Sequence, residues 1–204
     1  MSECAGIILA GGEGRRFGGQ DKAQLKLCGQ ALIDLTLARL RHQIDRVAVS
    51  VRYPVRWSDG LSAPVIEDAV PGAGPLAGLA AGLRWAAGLV PAPMWLITVP
   101  VDVPFFPGDL AVRLTQSGAD AAVARSGTGL HYTVAAWRLS ISDRIENALA
   151  SDTRAIKDLL TVVKTADVEW PLQPVDPFLN INTPTDLEQA ERFAASLMSV
   201  DQQR

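Results

Sequence analysis

A glycine-rich loop, a lysine, two carboxylates and two asparagines are the residues of this sequence best suited to chemistry on phosphates. The loop reads Leu9-Ala10-Gly11-Gly12-Glu13-Gly14-Arg15-Arg16-Phe17-Gly18-Gly19-Gln20-Asp21-Lys22. Its five glycines let the backbone turn sharply and bring N–H groups close to an anion. Arg15, Arg16 and Lys22 put positive charge beside those amides. The apolar run from Ala5 to Leu9 ahead of the loop reads as a buried strand. Strand, glycine loop and cations in that order suit a nucleoside triphosphate. Two better-known loops are excluded. No glycine precedes Lys22 and Ala23 follows it, which breaks the P-loop pattern. Counting from Gly12, Phe17 stands where a dinucleotide fingerprint needs its third glycine.

The remaining polar candidates each follow a predicted strand. Ser50 ends Val47 to Val51, Asp68 follows Val65-Ile66, and Asp102 follows Met94 to Val99. Asn180 and Asn182 flank a run from Phe178 to Ile181 that also reads as extended. Taken singly, such residues commonly cap helices or make turns. Asp102 stands apart, because Pro100 and Pro104 give it a rigid mount at a central strand end. A single carboxylate there suits Mg²⁺, which takes one or two carboxylates plus phosphate oxygens and water.

Segments able to position these residues alternate between strand and helix, the pattern of an α/β sandwich around a mostly parallel sheet. Helices are expected over Ala31 to Gln43, Leu76 to Leu89, Asp109 to Gln116, Ser142 to Ala150, Arg154 to Leu160 and Thr185 to Leu197. Further strands are expected over Ala119 to Ala124, Tyr132 to Trp137 and Val162 to Val168. Pro75 suits the first turn of its helix. In such a sheet, ligands bind beyond the carboxyl ends of the strands, near a switch in strand order. The 204 residues fit one domain, with no repeat and no linker. Nearly half are apolar, and the net charge of −3 argues against a broad nucleic-acid surface while leaving room for one local basic patch. Cys4 and Cys28 are too few for a disulfide framework. With no signal-like start and no apolar run of spanning length, the expectation is a cytoplasmic protein with no membrane partner.

Five stretches, in this order, carry a resemblance to a known family. They are Leu9-Ala10-Gly11-Gly12 with Arg15-Arg16-Phe17-Gly18-Gly19 and Asp21-Lys22; Val65-Ile66-Glu67-Asp68; Gly74-Pro75-Leu76-Ala77-Gly78; Pro100-Val101-Asp102-Val103-Pro104; and Asn180-Ile181-Asn182-Thr183-Pro184. The chain resembles the molybdenum cofactor guanylyltransferases, within the wider nucleotidyltransferase group. The resemblance implies a Rossmann-like three-layer α/β/α sandwich of the nucleotide-diphospho-sugar transferase type. It also implies that backbone groups of Leu9, Ala10 and Gly11 contact the guanine nucleotide, while Gly12 and Gly14 shape the phosphate loop. Lys22 would hold phosphate charge with Arg15 helping, Asp68 would contact the nucleoside, and Asp102 would carry Mg²⁺, with Mn²⁺ as the alternative. Asn180 and Asn182 would line the side that takes the pterin. Two departures stand out: Ser50 replaces a usual asparagine, leaving its nucleotide contact open, and His131-Tyr132 replaces His-Pro.

The implied substrates are GTP and molybdenum-molybdopterin, with molybdenum-insertion proteins and molybdoenzyme chaperones as candidate partners, and a monomer or weak oligomer as the working state. Three rivals stand beside this reading, of which a sugar-1-phosphate nucleotidyltransferase usually has Pro-Lys where this chain has Asp21-Lys22. A cytidylyltransferase on the same cofactor more often reads Pro-Ala-Ala-Gly where this chain has Leu9-Ala10-Gly11-Gly12. A non-catalytic nucleotide-binding regulator would not need Lys22, Asp68 and Asp102 together. Other features take plain readings. Trp57, Trp85, Trp95, Trp137 and Trp170 read as packing residues, and Arg39, Arg41 and Arg46 as a solvated face and loop. His131 reads as a loop histidine without a special task. Ser126-Gly127-Thr128-Gly129 reads equally as a lid or an ordinary turn.

Overall fold

In the computed structural model, residues 3–12, 15–53, 55–68, 70, 74–127, 129–151, 155–172 and 175–201 are described. A seven-stranded sheet forms the centre. Its strands are β1 (Cys4–Leu9), β4 (Arg46–Val51), β5 (Val65–Glu67), β6 (Trp95–Pro100), β7 (Ala121–Ser126), β8 (Gly129–Arg138) and β9 (Thr165–Glu169), in the order β5-β4-β1-β6-β8-β7-β9. Of these strands, only β8 runs against the rest. It returns from β7 through a tight connection in which Ser126 pairs with Gly129; Thr128 lies outside the described residues.

Why these strands are central follows from their composition. β1 and β6 are near-continuous apolar runs, and a parallel strand covered on both faces needs such a run. Successive residues face opposite layers. Ile8, Ile97 and Val99 pack with α1 (Leu32–Arg41), α3 (Leu110–Thr115) and α6 (Pro184–Asp201). Ile7, Leu96 and Ala48 pack with α2 (Pro75–Ala87), α4 (Ser142–Ala150) and α5 (Ile156–Leu159). The result is the expected three-layer α/β/α arrangement. In α2 the alanines and glycines let the helix approach closely: a Cβ on Gly82 would lie 3.0 Å from both Ile7 Cγ2 and Leu96 Cδ2.

Several expectations need correction. The Phe178 to Ile181 run is not a strand. Asp176 Oδ1 accepts from the Phe178 amide at 2.9 Å and Asp176 O from the Leu179 amide at 3.1 Å, so the chain turns there and Phe178 drops into the core. β8 begins at Gly129, three residues before the expected start, and places His131 within a strand. The helix expected from Arg154 is shorter, and Arg154 itself lies outside the described residues. Arg39 is half-buried, with its Nε donating to Phe106 O and its guanidinium 5.7 Å from the Phe106 ring centroid. A small hairpin, β2 (Lys26–Leu27) with β3 (Gln30–Ala31), was not anticipated. Its turn holds Cys28 at φ 49° and Gly29 at φ 85°, the two positive values a two-residue hairpin of primed type requires.

Candidate active site

Strand register brings the candidate residues to one rim. Leu9 pairs with Ser50 on one side and Pro100 on the other, and Ser50 pairs with Ile66. Gly11, Arg52, Asp102 and Asp68 each stand two residues beyond these paired positions. They line a cleft of about 360 Å³ at the carboxyl ends of the strands. The first strand β1 lies between β4 and β6, so the cleft sits where the strand order switches. With strands about 4.8 Å apart, the rim from β5 to β6 spans about 14 Å, long enough for an extended nucleotide.

At the β6 end, Lys22 Nζ donates to Asp102 Oδ2 at 2.6 Å and to Asn182 Oδ1 at 2.5 Å. Lys22 and Asp102 are largely buried, with side chains 16% and 13% exposed. The lysine is aimed by its neighbour: Asp21 Oδ1 caps the short turn Lys22–Gln24 by accepting from the Ala23 amide at 3.0 Å. The other Asp21 oxygen accepts from Trp57 Nε1 at 2.7 Å, so Trp57 does more than pack. Asn182 is set by the start of α6. There the Asp186 carboxylate accepts from the amides of Asn182 and Thr183 at 2.9 and 2.8 Å, and Thr183 Oγ1 accepts from the Asp186 amide at 3.2 Å. This is a reciprocal capping box, with Pro184 in the first helical turn. The backbone of Ile181 in turn donates to Asp102 O at 2.8 Å, tying this segment to the β6 loop.

At the β5 end, the Ser50 hydroxyl donates to Asp68 Oδ1. Burial pushes the Asp68 carboxyl above its usual range, and the bond from Ser50 and the charge of Arg52 offset this only in part. Two glycines make room here. A Cβ on Gly11 would lie 3.1 Å from Asp68 Oδ2, and one on Gly78 would lie 2.8 Å from both Leu9 Cδ2 and Ser50 Oγ. Pro75 and Gly78, from the first turns of α2, close this side of the cleft.

Leu9, Gly11, Gly12, Lys22, Ser50, Asp68, Asp102 and Asn180 thus share one cleft. Ala10 is turned into the core, and its amide is already bonded to Ser50 O at 2.8 Å. Gly14 and the side chain of Arg15 lie outside the described residues. Arg52 and Thr133, which sequence reading passed over, also line the cleft. Arg52 was findable, since it stands two residues beyond Ser50, immediately past the end of β4. Thr133 was not: it lies where β8 bulges out of register against Val123 and Ala124.

His131 packs on Phe178 at 4.7 Å and lies 2.7 Å, through Nε2, from Ser126 Oγ. Ser126 gives its proton to Asp176 Oδ2 at 2.9 Å. A hydroxyl has one proton, so the imidazole is the donor to Ser126 and carries its hydrogen on Nε2. Burial lowers the pKa of His131 despite the nearby Asp176 charge.

The chemistry of the donor set fits a divalent cation at Asp102. Among the described residues no group of three or more His, Cys, Asp or Glu forms a closed metal cage. One carboxylate facing a phosphate-sized cleft matches a cation that completes its shell with phosphate oxygens and water.

A family model for the MobA-like NTP transferase domain matches residues 6–168, which contain the loop, Lys22, Asp68 and Asp102. The chain belongs to this family. Among family relatives, the molybdenum cofactor guanylyltransferase of Rhodopseudomonas palustris strain BisB5 is 42% identical over 195 residues, covering 92% of each chain. The crystal structure of molybdopterin-guanine dinucleotide biosynthesis protein A from Archaeoglobus fulgidus superposes with a TM-score of 0.75 at 25% identity, covering 94% of this chain and 99% of that one. The fold reaches further. The 2-C-methyl-D-erythritol 4-phosphate cytidylyltransferase of Thermus thermophilus shares it at a TM-score of 0.70 and 20% identity, covering 93% of this chain and 98% of that one. Among the described residues no helix is long and apolar enough to cross a membrane.

Proposed function

We propose that this protein is a molybdenum cofactor guanylyltransferase, a single nucleotidyltransferase domain that moves GMP from GTP to the terminal phosphate of molybdenum-molybdopterin. An acceptor phosphate oxygen forms a bond to the α-phosphorus of GTP, the bond to the bridging oxygen breaks, and pyrophosphate leaves. A phosphate monoester is already anionic near neutral pH, so the protein need not supply a general base. Its work is positioning and charge neutralisation. The observation that carries this reading is the rim itself: an Asp102–Lys22 pair at one end of a nucleotide-length cleft and a half-buried Asp68 at the other.

In this reading the backbone around Leu9, Ala10 and Gly11 and the Asp68 carboxylate receive the guanosine, with Ser50 orienting Asp68. Gly12 and Gly14 shape the phosphate loop, Lys22 meets the triphosphate charge, and Arg15 assists. Asp102 would hold Mg²⁺, or Mn²⁺ in its place, which would supply charge neutralisation at the α-phosphate and the leaving pyrophosphate. Asn180 and Asn182 line the acceptor side. A cytoplasmic, monomeric or weakly oligomeric enzyme, handing its product to insertion proteins or molybdoenzyme chaperones, suits GTP as co-substrate. The test is pyrophosphate release with GTP, CTP, ATP and UTP in turn, with molybdopterin present. Release with GTP alone is expected; release with CTP and not GTP would make the protein a cytidylyltransferase, and release with none would leave a regulator.

A further inference from the structure

Lys22 is needed on the phosphates, yet here its ammonium is engaged elsewhere. It sits 2.6 Å from Asp102 Oδ2, on the carboxylate at the phosphate end of the cleft, and both groups are largely buried. A carboxylate paired this closely holds a divalent cation less tightly while the ammonium stays, because the two cations repel each other across a few ångströms of partly desolvated space. The second partner of the ammonium is of a different kind. Asn182 Oδ1 accepts from Nζ at 2.5 Å and carries no charge. An ammonium has three donors, so it can exchange its bond to Asp102 for one to another oxyanion while keeping the bond to Asn182. A neutral acceptor fixes direction and leaves the positive charge available, whereas a carboxylate at that position would compete with phosphate. Asn182 is itself held, its amide bonded to Asp186 in the cap of α6 and its neighbour Ile181 bonded to Asp102 O.

We propose that Lys22 competes with a metal for Asp102 when no nucleotide is bound, and that Asn182 is the positioning residue that keeps Lys22 within reach of the phosphates. With nucleotide bound, the triphosphate would offer the ammonium a stronger counter-charge, Lys22 would turn about its Asn182 tether, and Asp102 would be freed to hold a divalent cation. This assigns Asn182 to the lysine and leaves Asn180 facing the acceptor. The inference rests on the reading of Asp102 as the metal-holding residue.

The test is a titration of the full ¹⁵N-labelled chain with Mn²⁺, following paramagnetic broadening of the Val103 and Ile181 amide signals beside Asp102. Without nucleotide, Lys22→Met is expected to reach half-broadening at Mn²⁺ concentrations about ten-fold or more below the wild type, and Lys22→Met with Asp102→Asn to lose the effect. Adding GTP to the wild type is expected to restore broadening at low Mn²⁺. Equal broadening of wild type and Lys22→Met by Mn²⁺ alone would overturn the inference and leave the Asp102 reading standing. Absence of broadening in the wild type even with GTP would instead remove the Asp102 reading. The second arm is turnover by Asn182→Ala, where kcat is expected to fall with KM for GTP and acceptor little changed. A rise in acceptor KM with kcat intact would make Asn182 an acceptor contact and overturn its positioning role. The amide spectra of the variants show whether each retains the fold.

Discussion

Asp102, Lys22, Asp68 and His131 carry separable predictions at the residue scale. Asp102→Ala is expected to abolish turnover, and near-normal guanylylation by the purified variant would sink the metal assignment. Lys22→Ala is expected to cost about 2–4 kcal/mol of transition-state stabilisation, read as the drop in kcat/KM for GTP. Asp68 works in the opposite sense on stability. Burial raises its pKa above the unfolded value of 3.8, so the native state binds the proton more tightly. Stability is therefore lost as pH rises through that window, and the loss persists at neutral pH. Asp68→Asn, which keeps an acceptor for Ser50, is expected to raise Tm at neutral pH while raising KM for GTP; a lower Tm would show that the charge is compensated. For His131 the native pKa lies below the ordinary 6.5, so its contribution is complete above that value and is lost as pH falls through the interval beneath it. His131→Gln is expected to flatten the acid side of the Tm profile, and an unchanged profile would count against burial as the force that holds the imidazole neutral.

At the scale of elements, the close approach of α2 to β1 and β4 shapes the cleft. A methyl at Gly78 would meet Leu9 Cδ2 and Ser50 Oγ, both at the nucleotide end. Gly78→Ala is expected to cost about 1–3 kcal/mol in denaturant melts and to raise KM for GTP; a variant with unchanged stability and KM would show that the helix can shift. The same elements show what sequence alone could reveal. β1, β4, β6 and α2 were legible because long apolar or small-residue runs leave few alternatives, and their carboxyl ends pointed to Lys22, Ser50, Asp68 and Asp102. The apolar residues of 178–181 mimic a strand, and only the Asp176 turn and the Ile181–Asp102 contact, both set by folding, make that segment a brace. The two-residue strands β2 and β3 are too short for a periodic signal. The half-buried place of Arg39 depends on Phe106, far away in sequence.

Across the whole molecule, a chain of net charge −3 still brings two cations, Lys22 and Arg52, to one cleft. The parallel register sets the working groups side by side: Asp68, Arg52, Gly11 and Asp102 occupy equivalent places on four adjacent strands. Such a rim has the length an extended nucleotide needs, and Asn180 and Thr133 line the same cleft. The proposed reaction is nucleotidyl rather than phosphoryl transfer, and double labelling of GTP separates the two. With purified protein, Mg²⁺ and molybdopterin, label in the α-phosphate of GTP should appear in a pterin dinucleotide while label in the γ-phosphate leaves in pyrophosphate. Transfer of the γ-label to the pterin, or α-label remaining in unbound guanine nucleotide after full incubation, would contradict it.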